Sequence, residues 1–140
     1  MKLWKIYRVM LPFLLLGLAS CAGENGSVPT EEEQKNQLFY QQISAEEAHS
    51  VMCNETEYIL IDARTEEEYA EGHIEGAILI PEYEIASRAE QEIPDKNALI
   101  LVYCRSGRRS KIASAELVQL GYTNVKEFGG IIDWPFEIVK

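Results

Sequence analysis

Three short apolar runs constrain the fold of this chain more than any other feature. They are Tyr58-Ile59-Leu60-Ile61, Ala77-Ile78-Leu79-Ile80 and Ala98-Leu99-Ile100-Leu101-Val102-Tyr103. Each is continuous rather than alternating, so each must be covered on both faces. The stretches between them carry helix signals. Ser44-Ala45-Glu46-Glu47, following Ile43, has capping-box spacing and predicts a helix to about residue 53, with Ala45, Ala48 and Met52 facing inward. Thr65 caps a short acidic helix over residues 66–71, which Gly72 closes. Residues 82–91 read as a helix after Pro81. Residues 109–120 read as another, with Ala113, Leu117 and Leu120 on one face and Gly121 as its stop. A last short strand covers residues 124–128, and Gly129-Gly130 is expected to turn the chain into a closing segment that holds Trp134. Helices alternating with continuous apolar strands specify an α/β fold, a small parallel sheet with helices on both faces. In such folds the site lies at the carboxyl ends of the strands, where Asp62 and Cys104 both fall.

Not all 140 residues belong to that fold. Lys2, Lys5 and Arg8 form a positive start, and Val9 to Leu18 an apolar core broken only by Pro12 and Gly17. The core is too short for a comfortable membrane span and reads as a signal segment. Leu18-Ala19-Ser20-Cys21 resembles a bacterial lipoprotein processing site. A plain secretory signal also ends in small residues, but the cysteine favours lipidation. The expected organisation is a signal peptide over residues 1–20, a lipidated Cys21 opening a flexible tether over residues 21–38, and one domain over residues 39–140. The tether, with its run Glu31-Glu32-Glu33, is too polar to bury a core. A coil of that length spans roughly 20–25 Å. The expected location is outside the cytoplasm, anchored by lipid to a bacterial membrane.

Loss of residues 1–20 leaves 10 Lys and Arg against 23 Asp and Glu, a net charge of −13. So acidic a body argues against a nucleic-acid partner. Four of the remaining cations, Arg105, Arg108, Arg109 and Lys111, nevertheless crowd one short loop and the helix start behind it. A helix N-terminus disfavours cations, so their presence there marks an anion site. The same loop opens on Cys104, at the end of the longest apolar run. A thiol facing loop amides and a helix N-terminus ionises readily. Gly107 lets the backbone curl its N–H groups inward, Ser106 and Ser110 add hydroxyls, and Arg109 is placed to clamp an anion.

These pieces occur in an ordered set: Ile61-Asp62-Ala63-Arg64, Glu68-Tyr69, Gly72-His73-Ile74-Glu75-Gly76-Ala77, Ile80-Pro81, Cys104-Arg105-Ser106-Gly107-Arg108-Arg109-Ser110, Gly121-Tyr122, Asn124-Val125 and Gly129-Gly130-Ile131-Ile132-Asp133-Trp134. The set resembles single-domain rhodanese-like sulfurtransferases over roughly residues 42–139. The resemblance implies that Cys104 takes a sulfane sulfur from a small anionic donor such as thiosulfate. The resulting persulfide passes it to cyanide or a thiol, protein thiols included. It also implies that Arg105, Ser106, Gly107, Arg108, Arg109 and Ser110 hold the substrate, with no cofactor. The chain departs from the family's pattern at Leu79, where members often carry Asn before the Ile-Pro pair. Phosphatases and arsenate-reducing relatives resemble a Cys-x5-Arg loop wide enough for a tetrahedral oxyanion. Here Arg109 sits at Cys-x4-Arg, which favours sulfur. A non-catalytic binding module is the other reading of such a domain, usually one without the cysteine.

The remaining candidates take structural roles. Asp62 and Arg64 are expected to pair and shape the pocket edge, His73 to make a structural hydrogen bond, and His49 to be exposed on its helix. Trp134 and Phe136 read as packing residues, and Cys53 as an unpaired, partly packed cysteine. The His and Cys residues are too scattered to predict a metal site.

Overall fold

The computed structural model describes residues 39–140. The expected signal peptide, Cys21 and the tether lie outside the described residues. Five strands, β1 Gln41–Gln42, β2 Ile59–Asp62, β3 Ile78–Leu79, β4 Ile100–Cys104 and β5 Val125–Gly130, form one parallel sheet in the order β1-β5-β4-β2-β3. Four helices, α1 Ala45–Asn54, α2 Glu66–Glu71, α3 Ile85–Glu92 and α4 Arg108–Gln119, cover it. The fold is the parallel α/β sheet that the apolar runs demand.

The central strand β4 is buried along its whole length. Its side chains alternate between two cores, as strand geometry requires. Ile100, Val102 and Cys104 join Ile85 and Ala89 of α3 and Ala113 and Leu117 of α4. Leu101 and Tyr103 join Ala48 of α1, Ile74 and Phe128 on the opposite face. Strand parity therefore puts the Cys104 thiol on the same side of the sheet as α4.

The expected capping box at Ser44 forms, and the Thr65 cap is completed into a second box by Glu68. Ser44 Oγ accepts from the Glu47 N–H at 3.1 Å while Glu47 accepts from the Ser44 N–H at 2.7 Å. Thr65 and Glu68 repeat the exchange at 3.4 and 3.1 Å. The box also fixes where the Glu68 carboxylate sits, which matters below.

Several expectations are corrected. Gly129-Gly130 is not a turn: β5 runs through both residues, and Gly129 adopts φ +89° within it. The helix expected over residues 82–91 is split into a 3-10 turn, Glu82–Glu84, and α3. The Glu82 N–H is drawn to the Ala63 carbonyl at 3.1 Å, which ties the turn to the end of β2. The strand expected over residues 77–80 shortens to Ile78–Leu79 at the sheet edge. β1, too polar and short to stand out in sequence, pairs with β5 through Gln41 opposite Lys126. His49 is half-buried rather than exposed, because its ring stacks on Phe136 at 3.7 Å. Cys53 is free but exposed rather than partly packed. Among the described residues, no helix is long and apolar enough to cross a membrane, and no cluster of His, Cys, Asp and Glu assembles to hold a metal.

Candidate active site

Strand β4 ends at Cys104, and only Arg105, Ser106 and Gly107 separate it from α4. So tight a reversal needs a residue free to take positive φ, and Gly107 adopts +94° as the N-cap of α4. No side chain caps this helix, so its N-terminal amides remain available. The Gly107 N–H donates to Cys104 Sγ at 3.1 Å, and Ser110 Oγ lies 3.5 Å from the same atom.

The Cys104 side chain is nearly inaccessible, with 1% exposure. Burial alone raises a thiol's pKa. The hydrogen bond with Ser110 and the backbone N–H groups of Ser110, Ser106 and Gly107 together outweigh that burial, so the thiol is held below its ordinary value. Favourable contacts to the anion, rather than exposure to water, prepare the nucleophile.

The loop lies directly on β5. The β4–β5 register shifts between Val102 and Cys104, which sets Cys104 opposite Gly130. A Cβ on Gly130 would fall 2.2 Å from the Arg105 carbonyl oxygen and 2.5 Å from Ser106 Cα. The loop can occupy its position only because residue 130 has no side chain. A further tie comes from the Ile132 N–H, which donates to the Arg105 carbonyl at 3.2 Å.

The charged residues near the thiol are largely paired. Arg109 does not point freely into the loop: its guanidinium makes a two-pronged bond to Glu68, at 2.6 and 2.8 Å. The Arg109 hydrogen bond holds the Glu68 carboxyl down to about 2. Asp62, fully buried, binds Arg64 through Nε and Nη2, the shortest contact being 2.6 Å, and Arg64 also donates to the Gly72 carbonyl at 2.7 Å. The pair fixes the turn between β2 and α2, and such buried pairs set geometry more than they add net stability. Arg105, Ser106 and Arg108 are exposed at the loop, and the two arginines have no carboxylate partner among the described residues. His73 has the expected structural role, with Nδ1 3.0 Å from the Tyr69 carbonyl and its ring stacked on Tyr69.

Sequence reasoning missed Glu127. This residue is 2% exposed, and its carboxylate accepts from Ser110 Oγ at 2.6 Å and from the Gly129 N–H at 2.9 Å. The signal was its parity: Glu127 lies two residues from buried Val125 on the same strand.

These features define an α/β domain built around one buried thiol at the start of a helix. Residues 44–135 match the Rhodanese-like domain family, and the chain belongs to it. Thiosulfate sulfurtransferase PspE of Escherichia coli is 42% identical over 80 residues, which cover 57% of this chain and 77% of that protein. A sulfurtransferase of Allochromatium vinosum is 39% identical over 94 residues, 66% of this chain and 86% of the relative. Among solved structures, a rhodanese with anions from E. coli is 41% identical and superposes with a TM-score of 0.56, covering 59% of this chain and 98% of that one. The protein SSP1007 of Staphylococcus saprophyticus is 25% identical with a TM-score of 0.64, covering 71% and 99%.

Two predictions follow from the packing and charge of the site. Gly130→Ala must push the loop off β5, and overpacking of this kind costs about 1–3 kcal/mol. The expected result is a lower unfolding midpoint in urea and slower alkylation of Cys104, as the Gly107 N–H moves away from the sulfur. The second concerns Glu68. Its lowered pKa means that the ion pair stabilises the fold fully above the ordinary value of 4.5 and loses that contribution as pH falls towards about 2. Glu68→Gln is expected to lower stability at neutral pH by about 1 kcal/mol, discounted for partial exposure. In urea titrations across pH, its deficit relative to the wild type should stay constant above about 4.5 and shrink as pH falls from there towards about 2.

Proposed function

We propose that this protein is a sulfurtransferase that carries a sulfane sulfur as a persulfide on Cys104. The observation that carries the proposal is the Cys104 sulfur held 3.1 Å from the Gly107 N–H at an otherwise uncapped helix start. Sulfurtransferases recur among its relatives, and two of them are named for thiosulfate.

The exposed Arg105 and Arg108 draw a small dianionic donor such as thiosulfate to an otherwise acidic surface. The Cys104 thiolate attacks the outer sulfur of the donor. A sulfur–sulfur bond forms as the bond between that sulfur and the sulfite group breaks, and sulfite leaves with the electron pair. The persulfide then lies among loop amides suited to a single anionic sulfur atom. Ser106 and Ser110 supply hydroxyls to the cradle, and Arg109, fixed by Glu68, forms a positive wall. An acceptor, cyanide or a thiol, attacks the outer sulfur and releases Cys104 as a thiolate. The three-residue reversal between β4 and α4 favours a sulfur atom over a phosphate-sized oxyanion.

The proposed setting is the outer side of a bacterial membrane, with Cys21 lipidated and residues 21–38 as the tether. The basic start, short apolar core and Leu18-Ala19-Ser20-Cys21 support it.

Thiosulfate treatment of the full chain should add the mass of one sulfur atom to the Cys104 peptide, and cyanide should remove it as thiocyanate. Cys104→Ala should abolish both; full thiocyanate production by that variant would sink the mechanism. On fractionation of expressing cells, the wild type is expected with membranes and Cys21→Ser in the soluble fraction. Equal membrane retention of the two would refute the lipid anchor.

A further inference from the structure

The Ser110 hydroxyl has one hydrogen and more than one claimant. Its oxygen lies 2.6 Å from Glu127 Oε1 and 3.5 Å from Cys104 Sγ, with the Gly107 and Gly129 carbonyls at 3.1 and 3.3 Å. The shortest contact takes the hydrogen, so Ser110 donates to Glu127 and turns a lone pair towards the sulfur. In that arrangement Cys104 is a thiol that donates to Ser110. The hydrogen bonds then run one way, from the sulfur through the hydroxyl to a buried carboxylate.

No cation among the described residues balances that carboxylate. Its second oxygen meets only the neutral amide of Gln42 on β1, at 3.4 Å, and no Lys, Arg or His among the described residues pairs with it. The charged groups around the sulfur are committed elsewhere: Arg109 of α4 to Glu68 of α2, and Asp62 at the end of β2 to Arg64. Arg105 and Arg108 of the loop and Lys111 of α4 are exposed. A Cys104 thiolate would therefore place a second anion one hydroxyl away from the first, both out of water. Like charges so arranged do not ionise independently.

We infer that Glu127 is the proton partner of Cys104, the two sharing one proton through Ser110. When the thiol ionises, its proton passes to Ser110 Oγ and the Ser110 hydrogen passes to Glu127 Oε1. The products are a thiolate and a neutral carboxylic acid, with total charge and proton count unchanged. Every hydrogen bond in the chain then reverses, so Glu127 donates to Ser110 and Ser110 donates to the thiolate. When an acceptor strips sulfur from the persulfide, Cys104 leaves as a thiolate and the reverse shift returns its proton. Glu127 acts through Ser110 and is a positioning residue. The inference rests on Cys104 as the nucleophile proposed above.

The test is the pH dependence of iodoacetamide alkylation in the full chain, read on the Cys104 peptide by mass spectrometry. A shared proton makes the wild-type rate rise in two waves separated by a plateau, the signature of a coupled pair. Glu127→Gln should leave one wave, about 1–2 pH units below the upper wild-type wave, because the like charge is gone. Ser110→Ala keeps the carboxylate but removes the link; it should lose the lower wave without moving the upper one to lower pH. It also keeps the question open to test if Glu127→Gln does not fold. A single wave in the wild type overturns the inference, as do two waves retained in either variant. Alkylation needs no sulfur donor, so this outcome is separate from that of the persulfide assay.

Discussion

The backbone of residues 105–106 rests on the bare Cα of Gly130, and most of the site follows from that contact. β4 and β5 are neighbours in a parallel sheet, so the reversal after Cys104 must pass close to the end of β5. Without a side chain at residue 130, the loop drops onto the strand, and Gly107 can start α4 while its N–H still faces the sulfur. The same closeness brings Ser110, one turn into α4, against Glu127. A larger residue at position 130 would separate all of these groups together.

Around this contact the protein spends few free charges. Arg64 and Arg109 each hold a carboxylate. The thiol is prepared by the Ser110 hydroxyl and by the amides of a tight loop and a helix start; the amides stay in place when the charge on sulfur changes. Arg105 and Arg108, at the mouth, remain available to an arriving anion.

Much of this was legible in the sequence, and the failures are instructive. The α/β architecture followed from the continuous apolar runs, and the box at Ser44 and the cap at Thr65 from local spacing, because both depend on neighbours in the chain. Cys104 stood out because an apolar run ended on it beside a cluster of arginines. Glycine, however, serves for its dihedral freedom or for its lack of a side chain, and a Gly-Gly pair does not say which. Gly129-Gly130 looked like a turn and is the strand segment on which the loop rests. Arg109 looked like a free clamp because its partner, Glu68, lies 41 residues earlier in the chain. Glu127 looked like an ordinary strand charge, since its burial depends on how α4 lies across β5.

Glu68 closes the capping box of α2 with one face of its carboxylate and holds Arg109 with both oxygens. A helix of six residues is marginal on its own and frays on a local scale, well below global unfolding. The freedom of Arg109 is therefore metered by the first turn of α2. Opening of that turn would free the guanidinium from its carboxylate. The charge available to the site is thus tied, through Glu68, to the integrity of a separate short helix.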